Sequence, residues 1–174
     1  LHRVSLANLG GIISNTLLYG MMAALIILII NVLLSHSRRW IKATPGFILG
    51  KFAQLGYSIP GAVIAVGTIS LFVFLDGQFY PIYRIFNPDT KKLLLSTSII
   101  MLVFAFIVRY MAIGYNSVNS AFAKIGVKYN EAARTLGMNK TKAMLQVELP
   151  LLKKSLITGF ILIFIDILKE LPLT

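Results

Sequence analysis

Cysteine is absent from the 174-residue sequence, so neither a disulfide framework nor a thiolate metal site is open to it. Charge is scarce as well: 13% of residues are Asp, Glu, Lys or Arg, against about a quarter in a soluble domain, while 57% are hydrophobic. The shortage is one-sided, with 6 Asp and Glu against 17 Lys and Arg and a formal net charge of +11. Together with a mean hydropathy of +0.80, this excludes an ordinary water-soluble enzyme and makes lipid the solvent for much of the chain. In a soluble domain such basicity would suggest nucleic acid as a partner; here the apolar runs assign the cations to cytoplasmic loops, and no nucleic acid is expected. A phosphate loop is missing too, since the stretch from Gly46 to Lys51 has the wrong glycine spacing and is followed by Phe52. The sequence starts at Leu1 and stops soon after Pro172, which reads as a fragment of a longer protein.

What is present is a series of long apolar runs. A membrane-crossing helix needs roughly 20 mainly apolar residues, and four segments fit. No Asp, Glu, Lys or Arg occurs between Val4 and Ser37, and Asn15 to Leu34 is the clearest span. Phe52 to Leu75 is also uncharged but is divided at Pro60 and Gly61. This predicts an interfacial helix from Gly46 to Tyr57 and a span from Ile59 to Leu75, with Pro60 in its first turn. A third span runs from Leu93 to Ile113 with Arg109 near its end, and a fourth starts near Ser155. A secretory signal peptide is the alternative for the first span, but the run is too long and no small-residue cleavage site follows. The fold class expected is all-α: a polytopic transmembrane bundle of about four spans, residues 1–174 forming one incomplete membrane domain.

Orientation follows from the loop cations, which accumulate on the cytoplasmic side. Residues 35–51 hold Arg38, Arg39, Lys42 and Lys51; residues 76–92 hold Arg84, Lys91 and Lys92; residues 114–155 hold Lys124, Lys128, Arg134, Lys140, Lys142, Lys153 and Lys154. The first and third loops are therefore placed inside. The middle loop, with Asp76, Gly77, Pro81, Pro88 and Asp89, is placed outside as a short connection, along with Leu1 to Gly11. Arg109 then lies near the inner end of its span, where it can snorkel.

The cytoplasmic loop, about 114–154, is punctuated in a way a plain connector does not need. Asn130 can cap a short helix that begins at Glu131, a residue suited to the positive end of the helix dipole. Gly137 can close that helix in the left-handed conformation. Asn139 can cap a second helix, with Met138 and Ala143 placed as a hydrophobic staple, and Pro150 limits its continuation. Small side chains at Ala132 and Ala133 permit close approach, while Leu136, Met144 and Val147 offer apolar knobs. Such a pair of helices could dock in a groove of a soluble partner, or could be a solvated amphipathic loop that caps the bundle.

Glu131-Ala132-Ala133, three residues, Gly137, nine residues, Val147, one residue, then Leu149-Pro150 resembles the EAA loop of bacterial ABC importer permeases of the type I kind, Val147 standing where the family pattern has Ile. The resemblance implies that Glu131 to Gly137 form a coupling helix and turn seated in a cleft of a separate ATP-hydrolysing subunit, with Val147, Leu149 and Pro150 completing the loop. It implies a transport subunit rather than an enzyme, with no cofactor bound by this chain and ATP used by the partner. The implied partners are an ABC ATPase, a periplasmic or lipid-anchored substrate-binding protein, a second permease half (fused or separate) and membrane lipid. The implied location is the bacterial inner membrane. Two further stretches, Leu55 to Gly67 and Phe164 to Pro172, look most like the second half of iron(III) importer permeases. A permease for a polyamine, thiamine or an inorganic anion is the alternative within this type; a secondary carrier or channel, and a membrane scaffold, are rivals from other classes.

Asp166 and Glu170 lie four apart on the fourth helix and so share a face, with Lys169 beside them. Counted from Ser155, Asp166 would lie roughly 16 Å into the span, and a carboxylate there must face the bundle interior or a polar cavity. Contact with a ferric cargo and an intramembrane ion pair with Lys169 both stay open; any metal site is unknown. His2 and His36 fall on opposite sides of the first span and cannot share a metal. Gly61, Ala65 and Gly67 suit close helix packing, Trp40 an interfacial anchor, and Phe104 and Phe106 ordinary lipid or core contacts.

Overall fold

A computed structural model of the chain describes residues 6–40, 50–51, 54–86 and 92–169, and every regular element among them is helical. The elements are α1 (Leu6–Trp40), α2 (Gly61–Phe86), α3 (Ile99–Ile125), α4 (Lys128–Thr135), α5 (Lys140–Ala143), a π-helical turn (Met144–Glu148) and α6 (Leu149–Leu168). Helix is what lipid demands, because only a helix or a closed barrel satisfies its own backbone polar groups away from water. Among the described residues, three helices are long and apolar enough to cross a membrane: Ile13–Arg39, Gly61–Ile85 and Ile99–Ile125. The expected fourth, α6, carries Lys153, Lys154 and Asp166 within its 20 residues and falls short of the other three.

The core is a three-helix seam of α1, α3 and α6, with α2 packed on α3. Ala23, Ala24 and Ile27 of α1 meet Phe106 and Tyr110 of α3 and Ile163 and Ile167 of α6. Further along, Val32 packs with Val118, Ala121, Phe122 and Leu152. Small residues set the helix spacing. At Gly114 an added Cβ would lie 2.4 Å from Asn31 Nδ2 and 3.1 Å from both Ile27 and Ile163, so α1 and α6 converge on that one point of α3. Gly67, expected to pack closely, has nothing within 4 Å of such a Cβ; the close approach is made instead by Gly56, where a Cβ would lie 1.8 Å from the Val108 carbonyl oxygen.

The helices overrun the apolar segments at several ends. α2 does not stop at Leu75 but continues through Gly77 and Pro81 to Phe86, so Asp76 is a helical residue and not part of an external connection. Asp76 is fully buried and accepts hydrogen bonds from the backbone N–H of Leu95 (2.9 Å) and Ser96 (2.8 Å) and from the Ser96 hydroxyl (2.7 Å), fastening the start of the next helix to α2. α3 begins at Ile99 and runs to Ile125, which moves Arg109 from the inner end to mid-helix. There its guanidinium donates to the Ile59 carbonyl and lies 6.0 Å from the Tyr57 ring centroid. The carbonyl is open because the chain breaks at Pro60 before α2 begins. Residues 54–58 form a short helix laid along α3 through Gly56, rather than one resting only at an interface. The expectations for Leu1 to Val4 including His2, for residues 41–49 and 87–91, for Glu170 to Pro172 and for the Trp40 side chain lie outside the described residues.

Candidate functional site

The ends of α1 and α3 and the segment 127–149 come together at one end of the bundle, as the cation distribution predicts for the first and third loops. The α3 helix ends at Gly126 (φ +66), and α4 starts directly after it. Because that glycine makes the bend, α4 begins at Lys128 and Glu131 lies in its first turn rather than at its first position. Asn130 is therefore inside the helix, fully buried, and caps nothing; the Val127 carbonyl takes the Glu131 N–H at 3.0 Å.

Gly137 has the left-handed conformation, φ +86. Its N–H reaches the Arg134 carbonyl at 3.0 Å and the Met138 N–H reaches the Ala133 carbonyl at 3.1 Å, the paired bonds of a Schellman closure. Asn139 then caps α5, its Oδ1 accepting the Lys142 N–H at 2.7 Å. The second helix is not a separate short one: α5 passes through the π turn into α6 without a break. Pro150 explains the wide turn, since it lacks an N–H and its ring crowds the carbonyl four residues back, and a looser turn relieves both problems.

The exposed face of this hairpin is small and partly apolar. Glu131, Ala132, Arg134 and Gly137 face outward; Leu136 is 82% exposed and Tyr129 50%. Ala133 turns inward and is buried, so the two alanines do different work. Met144 is buried and is not an exposed knob; Val147 and Leu149 are half-buried, and Pro150 is exposed in the first turn of α6.

Glu148, the spacer residue before Leu149-Pro150, is completely buried. Its Oε1 accepts from Arg39 Nη1 at 2.6 Å, and its Oε2 lies 3.4 Å from His36 Nδ1. The second Arg39 nitrogen donates to the Phe122 carbonyl at 3.0 Å and to the Gly126 carbonyl, and its guanidinium lies 5.0 Å from the Phe122 ring centroid. Sequence reasoning passed over this cluster. The available sign was that each of only 6 acidic residues among 17 cations needs an account, and that His36 and Arg39 share one helix face.

Asp166 and Lys169 do approach each other, at 3.8 Å, but as an open pair with side chains 37% and 71% exposed; Glu170 lies outside the described residues. The Asp166 carbonyl accepts the Tyr110 hydroxyl at 2.9 Å. Among the described residues no group of three or more His, Asp or Glu could hold a metal ion. A polar groove of about 330 Å³ between α3 and α6 is lined by Ser117, Ser120, Lys124, Lys154, Ser155 and Thr158. It adjoins a second cavity of about 590 Å³ that shares Ser117 and Ser120 and reaches Gln54, Tyr57 and Asn116. Neither cavity has a carboxylate in its lining.

The model of the family described as the binding-protein-dependent transport system inner membrane component matches residues 39–174. Comparisons with curated proteins and with solved structures give no match. With most of its length inside that family and three helices able to cross a membrane, the chain belongs to the binding-protein-dependent permease subunits of ABC importers, membrane proteins that work with a binding protein and an ATPase.

Proposed function

We propose that this chain is part of a bacterial inner-membrane permease for iron(III), corresponding to the second of two permease halves. In this reading residues 128–137 form the helix and turn that dock in a cleft of the ATPase. The observation that supports the docking role is the exposed, glycine-bent hairpin, held by the Gly137 closure and the Asn139 cap, with Ala132 and Leu136 facing outward. Movement of the ATPase would reach the spans through that stiff element. The iron(III) reading draws on the likeness of Leu55 to Gly67 and Phe164 to Pro172 to iron(III) permeases, with Asp166 as the half-exposed carboxylate at the far end of α6.

The groove between α3 and α6 favours a second reading, an inorganic anion as cargo. Serine and threonine hydroxyls with Lys124 and Lys154 suit an anion, and the two ammonium groups would repel a polyamine. Uptake of radioactive iron(III) and of radioactive sulfate and phosphate into proteoliposomes holding the permease, its ATPase and its binding protein separates the cargoes. ATP-dependent iron uptake alone supports the first reading. Anion uptake lost on Lys124→Gln and Lys154→Gln supports the second. Uptake of either cargo that needs no ATP would count against both readings.

A further inference from the structure

We propose that Glu148 and Arg39 form a buried latch that joins the hairpin 128–148 to the ends of α1 and α3, so that these three elements move as one body when the ATPase closes. The proposal rests on the docking reading of residues 128–137.

The latch has an economy of parts. One guanidinium serves three elements: it belongs to α1, donates to the Phe122 and Gly126 carbonyls at the end of α3, and pairs with Glu148 in the π turn. Both carbonyls lie at the C-terminal end of α3, where the Phe122 oxygen also accepts the Gly126 N–H at 3.1 Å, and they form the negative end of the helix dipole, where a cation is favoured. Arg39 thereby holds the end of α3 through one terminal nitrogen while the other is aimed at the carboxylate. The planar fork suits this triple duty, because its two terminal nitrogens face different elements, whereas a lysine has a single nitrogen. Glu148 has no exposure to water, and its carboxylate faces Arg39 at 2.6 Å and His36 at 3.4 Å. Pulling the hairpin from α1 would strand a buried carboxylate, which is far costlier than sliding an apolar contact. The junction therefore resists relative movement, and a force applied to α4 is delivered to α1 and α3 together.

Glu148 and Arg39 act here as positioning residues, since neither is on the exposed face of the hairpin. The test uses the full-length permease with its ATPase and binding protein in lipid nanodiscs and proteoliposomes. Residues 1–174 hold no cysteine; with any cysteines elsewhere in the complex replaced by serine, spin labels at Ser37→Cys on α1 and Lys142→Cys on α5, both exposed positions, report the distance across the latch. A narrow distance distribution that stays in place on ATP binding is expected in the parent, and a broadened one in Glu148→Gln. In the same variant the cargo moved per ATP hydrolysed should fall on the order of tenfold or more while the ATPase still co-purifies. A purely structural role would lower the amount of complex and leave that ratio alone.

A parent distance that shifts on ATP binding would overturn the proposal, as would an unchanged ratio in Glu148→Gln. The parent measurement decides the matter even if the variant fails to accumulate. Failure of the parent to retain the ATPase would count against the docking reading instead, while the width of the distance in the permease alone would still report the latch.

Discussion

Replacing Gly137 separates a conformational requirement from a packing one. Its φ is +86, and a Cβ built there meets nothing within 4 Å, so a substitution brings no clash and acts only through the backbone. For a residue with a Cβ the left-handed region costs about 1–2 kcal/mol, roughly a 5- to 30-fold change in an equilibrium. The Gly137 to Arg134 and Met138 to Ala133 bonds are lost if the backbone leaves that region, which adds to the bias against the bend. Valine, branched at Cβ, is the worst case; alanine is intermediate; asparagine tolerates the conformation and should come close to glycine. ATP-driven uptake in proteoliposomes, normalised to inserted permease, should follow Gly, Asn, Ala, Val in falling order, with Gly137→Val nearly inactive yet normally inserted. Normal uptake by the valine variant would refute the need for the bend. An asparagine variant as poor as valine would show that something other than φ is at stake.

Three further outcomes can be checked. Ala133→Leu overfills a buried position and should cost about 1–3 kcal/mol in thermal unfolding, whereas Ala132→Leu, on the exposed face, should leave stability unchanged and reduce ATPase co-purification. Gly56→Ala drives a methyl group into the Val108 carbonyl and should lower the amount of folded permease seen by size-exclusion chromatography, with Gly67→Ala as the silent control. Asp166→Asn removes only an open pair, so its effect on thermal stability should stay below about 1 kcal/mol; a larger loss would show that the pair is buried in the assembled transporter, and lost iron uptake at normal stability would place Asp166 on the path.

The parts of the fold legible in the sequence were those with a local cause. Charge-free runs mark the helices of α1 and α2, and glycine and asparagine chemistry marks the Gly137 turn and the Asn139 cap, because each depends on residues within a few positions. Helix ends were less legible. Once lipid no longer forces the conformation, tertiary contacts decide where a helix stops, and Asp76 shows how: its partners Leu95 and Ser96 lie 19 and 20 residues onward. Glu148 was beyond reach for the same reason at greater range, since its partner Arg39 is 109 residues away and both look, in one dimension, like ordinary loop charges. Asn130 misled because the chain turns earlier, at Gly126, and leaves it inside the helix.

The π turn at Met144–Glu148 has a consequence for how such a protein can vary or be engineered. α5, the wide turn and α6 form a single shaft, and each residue added to or removed from a helix turns everything beyond it by roughly 100° and shifts it by about 1.5 Å. The compass direction of α4 is therefore set by the number of residues between Asn139 and Pro150, more than by their identity. Point changes there adjust fit, but an insertion or deletion of one residue re-aims the whole exposed face of α4. Chimeras that exchange hairpins between permeases should place their junctions before Asn139 or after Pro150 and keep the count between them fixed.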